Sequence, residues 1–233
     1  MISIIIPTLN EEKYISDTLR SIKSQCFEDK CEIIVVDGMS KDNTVRIAKK
    51  YADKVIVIKK RGIAVGRNAG ARIAKGDILL FCDADTIPIP NALTEITKEF
   101  KKKNVVAVTV PIIPLSHQLK DSMIFWMYNI FVKISINFGN AQIPGVFVAY
   151  RKETFDKVNG FNESIETWED YDLSSRIDKH GKIVYSDKTL VLSSLRRIEK
   201  WGRTKSIVKY LGFQIKYLLT GKGPSVKYYE PIR

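Results

Sequence analysis

The sequence predicts a doubly wound α/β domain built on a mostly parallel sheet, and three observations carry that prediction. The first is Ile78 to Cys82, five consecutive apolar residues between Gly76 and Pro88. The run is too short for a buried helix and suits a central strand covered on both faces. The second is the alternation strand, helix, strand, helix, strand from Ile2 to Lys59, the pattern of parallel crossovers. The third is size: 233 residues with 45% hydrophobic content can fill the core of one large domain or two small ones.

Taken in order, Ile2 to Ile6 reads as a strand whose pairing ends at Pro7. Thr8 or Asn10 can cap a helix from about Glu11 to Ser24, with Ile15, Leu19 and Ile22 on its buried face. Glu32 to Val36 is a second strand, ending in Asp37-Gly38. Ser40 to Thr44 opens a helix reaching about Tyr51, and Lys54 to Lys59 is a third strand. The following segment places Ala64, Gly66, Ala69, Gly70, Ala71 and Ala74 where a helix can approach a sheet closely, with Arg61, Arg67 and Arg72 as fixed charges. It carries neither a Walker loop nor the dinucleotide glycine fingerprint. It reads either as a solvated basic face or as a clamp for phosphate.

The apolar run at Ile78 ends in Asp83-Ala84-Asp85. On an extended backbone, residues two apart point the same way. Both acids would then face a site at the strand's C-terminal end, where open α/β sheets bind ligands. Two hard oxygen donors suit Mg²⁺ or Mn²⁺, whose shell is commonly completed by phosphates. The plain alternative is a strand that stops at a polar turn.

Composition narrows the classes. A formal charge of +12 favours an anionic partner, whether phosphate, nucleic acid or an acidic membrane. Cys26, Cys31 and Cys82 form no disulfide framework and no zinc site, which fits a reducing cytosol. The first residues lack the basic-then-apolar pattern of a signal peptide. No stretch of about 20 uninterrupted apolar residues predicts a spanning helix.

Four motifs occur in one order: Ile4 to Glu11 (Ile-Ile-Ile-Pro-Thr-Leu-Asn-Glu), Val35 to Thr44, Gly66-Arg67-Asn68-Ala69-Gly70, and Gly76 to Asp85. Together they resemble the family 2 glycosyltransferases. The likeness is close over the first half and looser to about residue 197. It implies the GT-A fold, a single Rossmann-like domain with helices flanking the sheet. It also implies a nucleoside-diphosphate sugar as donor. By that resemblance Pro7, Thr8, Asn10, Glu11, Asp37, Gly38 and Ser40 would hold the nucleoside. Arg67 would lie near the diphosphate. Asp83, Ala84 and Asp85 would form the metal-and-nucleotide motif, with Asp83 and Asp85 the metal ligands.

Further along, Pro90 to Lys103 reads as a helix and Val105 to Val110 as a strand. Ser122 to Phe138 is rich in aromatics and Met, with Asn129, Lys133 and Asn137 at four-residue spacing. It reads either as a core helix or as one lying in a membrane interface, with Trp126 and Tyr128 at headgroup level. Pro144-Gly145 turns into a strand at Val146 to Arg151. Glu169-Asp170 opens a helix and resembles the family's acidic acceptor-site motif. Asp170 would be the base and Glu169 its neighbour, since inverting transfer needs a carboxylate to take the acceptor's proton. Without the upstream motifs these acids would read as ordinary helix-N-terminal charges. If the acceptor is already a phosphate, Asp170 would mainly position it.

Ile183 to Val191 gives one or two last strands. From Arg196 onward Ile207, Val208, Leu211, Ile215, Leu218 and Leu219 recur at helical spacing among basic residues. Such a tail reads as a membrane-surface element or as an exposed helix packed on the domain. Arg196 or Arg197 could reach the diphosphate as a lid closes, and the Gln-x-x-Arg-Trp motif of processive synthases is missing.

The expected organisation is a catalytic domain over 1–195, with a nucleotide-sugar half (1–110) and an acceptor half (111–195), then a basic amphipathic tail over 196–233. The expected activity is metal-dependent inverting sugar transfer to a glycan or polyprenyl-lipid acceptor. The expected location is cytoplasmic, with peripheral contact to an anionic membrane. Two rivals remain at this stage. A nucleotidyltransferase acting on sugar phosphates would share the metal-bound nucleotide, but it usually carries a glycine-rich basic loop after the first strand. A non-catalytic nucleic-acid-binding protein would explain the charge but not the acids closing several strands.

Overall fold

The computed structural model describes residues 1–27, 29–220 and 223. Its strands are β1 (Ile2–Thr8), β2 (Cys31–Asp37), β3 (Lys54–Val57), β4 (Ile78–Cys82), β5 (Thr86–Pro88), β6 (Val105–Thr109), β7 (Ile112–Pro114), β8 (Phe147–Arg151), β9 (Lys182–Tyr185) and β10 (Val191–Ser193). Its helices are α1 (Ile15–Lys23), α2 (Thr44–Ala48), α3 (Ile63–Ile73), α4 (Ala92–Phe100), α5 (Leu119–Asn137), α6 (Lys152–Lys157), α7 (Glu169–Ile177), α8 (Arg196–Trp201) and α9 (Arg203–Thr220).

Seven strands form one sheet in the order β3-β2-β1-β4-β8-β6-β9, in which β8 alone among them runs antiparallel to its neighbours. A smaller sheet, β5-β10-β7, sits beside it. The chain alternates faces residue by residue, as a strand must. Ile2, Ile4, Ile6, Ile33, Val35, Leu80 and Cys82 enter one core with α1 and α4. Ile5, Ile34, Val36, Leu79 and Phe81 enter the other with residues of α3 and α7. Burial on both faces explains why β1, β2 and β4 read as unbroken apolar runs.

The small residues of α3 have the predicted purpose. A Cβ on Gly70 would lie 2.4 Å from Ile5 Cγ2, and one on Gly66 would lie 3.3 Å from Pro7 Cβ. The helix therefore rests directly on β1, which fixes where Arg67 enters the molecule.

Several expectations are corrected. Pro7 does not end β1, because Pro7 and Thr8 still pair with Val36 and Asp37 of β2. The pairing with β4 stops at Ile5, so the missing N–H falls where one side of the strand is already unpaired. Helix α1 starts at Ile15 with no side-chain cap. Thr8 and Asn10 do not cap it: Thr8 bonds Asp37, and the Asn10 side chain accepts from the Lys41 N–H. Asp83 and Asp85 do not lie on extended backbone, since the chain turns after Cys82 and the Thr86 N–H bonds the Asp83 carbonyl. Tyr128 points inward, its hydroxyl 3.1 Å from that of Tyr171. Asn129 also faces in and bonds both the N–H and the C=O of Ile112. No helix among the described residues is long and apolar enough to cross a membrane. Within the predicted tail, residues 221–222 and 224–233 and the side chain of Leu218 lie outside what the structure describes.

Candidate active site

In the strand order, β1 lies between β2 and β4, which is where an open α/β sheet leaves a crevice at its C-terminal edge. Thr8, Asp37 and Asp83 stand at the ends of those three strands. Asp37 is fully buried. It accepts from the Thr8 hydroxyl at 3.0 Å, from the Ser40 hydroxyl, and from the Ser40 N–H at 2.8 Å. The Gly38 N–H bonds the Thr8 carbonyl, and the Asn10 N–H bonds the Ser40 hydroxyl. The loops after β1 and β2 are thus one hydrogen-bonded unit, with Asn10 (φ 56°) and Met39 (φ 66°) both held in left-handed backbone.

Glu11 belongs to the same wall. Arg196, the first residue of α8, donates to both of its carboxylate oxygens at 2.6 and 3.0 Å. The same guanidinium reaches Asp85 through Nε at 3.0 Å and stacks over the Tyr14 ring. Burial pushes the Asp85 carboxyl up to about 6, and the neighbouring acids Asp83 and Glu11 push the same way, against the pull of Arg196. Ala84 between the two acids is buried, and its carbonyl accepts from the Thr18 hydroxyl, which pins the turn.

Arg67 is buried beneath the acids. Its Nη2 donates to Asp83 and to the Gly145 carbonyl, each at 3.0 Å, and its Nη1 donates to Glu169. The guanidinium lies 5.3 Å from the Phe161 ring centroid. A Cβ on Gly145 would sit 2.4–2.6 Å from that guanidinium, so only glycine leaves room for it. Arg67 holds its proton firmly: burial opposes the charge, but Asp83, Glu169 and Asp170 outweigh it.

Glu169 and Asp170 open α7 as expected. Trp168 before them is left-handed at φ 66°, which turns the chain sharply into the helix. Asp170 accepts the Gly145 N–H at 2.7 Å and the Tyr171 N–H at 2.9 Å, so both of its oxygens are aimed. Desolvation raises the Asp170 carboxyl, with Arg67 pulling it down. Glu169 is raised too, first by burial and then by Asp170. The Trp168, Tyr171 and Tyr217 rings pack together beside this pair.

The geometry brings the predicted residues into two groups linked through Asp83 and Asp85. Five acids, Glu11, Asp83, Asp85, Glu169 and Asp170, meet two arginines. A site with that excess of carboxylate, holding hard oxygens at Asp83 and Asp85, suits a divalent cation. No group of three or more His, Cys, Asp or Glu side chains that could hold a metal ion occurs among the described residues.

Two residues matter more than the sequence indicated. Arg196 meets Glu11 and Asp85 directly, and the neighbouring Arg197 guanidinium lies over the Trp201 ring at 5.9 Å. Gly145 looked like a turn residue and proves to be the seat of Arg67. Its only local signal was the Pro144-Gly145 pair ahead of an apolar strand.

Comparison with known proteins follows the same lines. The model of the family described as glycosyl transferase family 2 matches residues 3–159. An uncharacterised glycosyltransferase of Haemophilus influenzae is 28% identical over 193 residues, covering 74% of this chain and 60% of the relative. The poly(ribitol-phosphate) β-N-acetylglucosaminyltransferase TarS of Staphylococcus aureus is 37% identical over 90 residues, covering 36% of this chain and 16% of TarS. The chain thus spans less than two thirds of the length of these relatives. Among solved structures, S. aureus TarS with UDP-GlcNAc superposes with a TM-score of 0.68 at 20% identity, over 83% of this chain and 58% of that one. The mannosyltransferase PcManGT of Pyrobaculum calidifontis, solved with GDP-Man and Mn²⁺, gives 0.72 at 22% identity, over 99% of this chain and 67% of that one. The fold is the GT-A arrangement that the sequence motifs implied, and the chain belongs to glycosyl transferase family 2.

Proposed function

We propose that the protein is a metal-dependent, inverting glycosyltransferase that moves a sugar from a nucleoside-diphosphate sugar to an acceptor presented at a membrane. The observation that carries this reading is the Arg67 bridge, a buried guanidinium that holds Asp83 of the donor motif to Glu169 beside Asp170. Neither a nucleotidyltransferase nor a nucleic-acid binder calls for a carboxylate pair held against a donor motif in this way.

The loops bearing Thr8, Asn10, Glu11, Asp37, Gly38 and Ser40 would bind the nucleoside. Asp83 and Asp85 would hold Mg²⁺ or Mn²⁺, which when bound neutralises charge on the departing diphosphate. Arg196 is placed to exchange its acids for diphosphate oxygens. Asp170, aimed by two backbone N–H groups, takes the proton of the acceptor hydroxyl. The acceptor oxygen forms its bond to the sugar's anomeric carbon as the bond to the diphosphate oxygen breaks. The diphosphate leaves with the bonding electrons on the opposite face.

A lipid-linked acceptor is favoured by two helices that expose apolar side chains, α5 and α9. A cytoplasmic protein bound peripherally to the membrane accords with the three free cysteines and the +12 charge.

The test is hydrolysis of UDP- and GDP-sugars with Mn²⁺ or Mg²⁺, comparing the wild type with Asp85→Ala. Slow release of one nucleoside diphosphate, lost with EDTA and in the variant, is the expected result. If calorimetry finds no nucleotide sugar that binds with metal present, the reading fails.

A further inference from the structure

We infer that α5 and α9 together form a docking face for an anionic membrane surface. The inference rests on the reading of a membrane-presented acceptor and gives it a place on the molecule.

In α5, Leu119, Met123, Trp126, Met127, Ile130 and Ile134 are all exposed, from 37% at Ile130 to 76% at Leu119. At about 100° per residue they fall within about 100° of the helix circumference. The opposite side buries Asp121, Val132 and Ser135. A helix facing water does the reverse, turning polar residues outward. A continuous apolar stripe of this length marks a surface that meets something other than solvent.

Helix α9 repeats the arrangement. Val208, Leu211, Ile215 and Leu219 are 58–80% exposed and lie within about 80° of one another. Ser206 is buried on the far side, where Tyr217 packs on Trp168 and Tyr171. Lys205, Lys209 and Lys216 form a row within about 40°, along one flank of the apolar stripe.

Side-chain bonds tie α9 to α5 and to the loop that follows it. Arg203 in the first turn of α9 pairs with Asp121 in the first turn of α5 at 2.6 and 3.0 Å. Further along α9, Gln214 bonds Gln142, just beyond the end of α5. Between Arg196 and Thr220 there are seven basic residues and one acid, Glu199.

Charge identifies the occupant. A second copy of this chain would set one lysine row against another. A plane of acidic headgroups neutralises the row while the acyl region takes the apolar stripes. Docked in this way, α9 holds Trp168 and Tyr171 from the membrane side. Glu169 and Asp170 then lie where a lipid-borne acceptor arrives.

The test uses the full chain with vesicles of phosphatidylcholine alone or mixed with phosphatidylglycerol, read by co-sedimentation, with donor hydrolysis measured on the same samples. Wild type is expected to bind the anionic vesicles, to release them at high salt, and to ignore the neutral ones. The double variant Met127→Glu, Leu211→Glu and the triple variant Lys205→Glu, Lys209→Glu, Lys216→Glu are each expected to bind at least about 100-fold more weakly. Both should keep wild-type donor hydrolysis, which separates loss of docking from loss of fold or of the catalytic reading. No binding by wild type would overturn the inference. So would binding unaffected by either variant, or a wild-type dimer in light scattering that Leu211→Glu dissolves.

Discussion

Arg67 donates to Glu169 across 102 positions of sequence and to Asp83 through its other Nη, which ties the start of α7 to the end of β4. Removing the cation leaves Asp83, Glu169 and Asp170 close together with little solvent. Arg67→Ala is expected to lower unfolding free energy by about 3–5 kcal/mol. Arg67→Lys should recover only part, because a single ammonium cannot fork to both acids and the Gly145 carbonyl. Urea denaturation gives the answer, and an Arg67→Ala protein within about 1 kcal/mol of wild type would disprove the bridge's structural weight.

Gly145→Ala tests the same seat from the other side. The new methyl would meet the guanidinium at under 3 Å, and Phe161 already flanks that group. The expected cost is about 1–3 kcal/mol of stability. Donor turnover should fall about 100-fold, since the Arg67 contacts must shift. Unchanged turnover in a folded variant would show that the guanidinium can move without consequence.

A carboxylate can take a proton only when ionised, and desolvation raises the carboxyl of Asp170, the proposed base. Turnover should therefore rise with pH through a value above the ordinary aspartate range of about 3.9. Asp170→Asn should lose about 10²–10⁴ in rate and flatten that limb of the profile. A variant with wild-type kcat and KM would remove Asp170 from the reaction.

Arg196 pairs with both Glu11 and Asp85. Arg196→Ala removes a cation that competes for Asp85. Calorimetry with Mn²⁺ alone should show affinity rising, by about tenfold for each 1.4 kcal/mol of repulsion relieved. Weaker Mn²⁺ binding would mean that Arg196 organises the acids rather than competing for them.

Glu163 predicts an acid limb of stability. Lys60 first, then Asn68 and Arg72, hold its carboxyl down at about 2. A carboxyl lowered in the folded state stabilises fully above its unfolded value of about 4.3 and loses that contribution as pH falls toward 2. Lys60 and Arg72 are both 68% exposed, so solvent screens the pairs and the contribution is on the order of 1 kcal/mol. Glu163→Gln should be less stable than wild type at neutral pH and converge with it near pH 2, as thermal unfolding across pH would show.

The parts of the fold that depend on neighbours in sequence were legible. The unbroken apolar runs of β1, β2 and β4 and the small residues of α3 state their own burial; Asp37 and Asp83 stand where β2 and β4 stop, and Glu169 and Asp170 where α7 begins. The backbone between Cys82 and Thr86 was not legible, because nothing local distinguishes an extended Asp-x-Asp from a turned one. The partners of Arg196 were equally hidden. It meets Glu11 from 185 positions away, and only the folded sheet brings the two loops together. In helix α5 the spacing of Asn129, Lys133 and Asn137 did not say which of them faces inward: Asn129 turns to the backbone of Ile112, while Lys133 and Asn137 stay exposed.

Strand β8 enters the sheet between β4 and β6, two strands that the chain completes long before it. A nascent chain that ends before Phe147 therefore holds two neighbouring strands with nothing to bridge them, and each presents an open edge. Such edges recruit other chains. Bridging β4 and β6 waits on a pairing across about 70 residues between β4 and β8, which makes that step slow by topology. During synthesis, β4 and β6 keep their facing edges unpaired until residues 147–151 leave the ribosome.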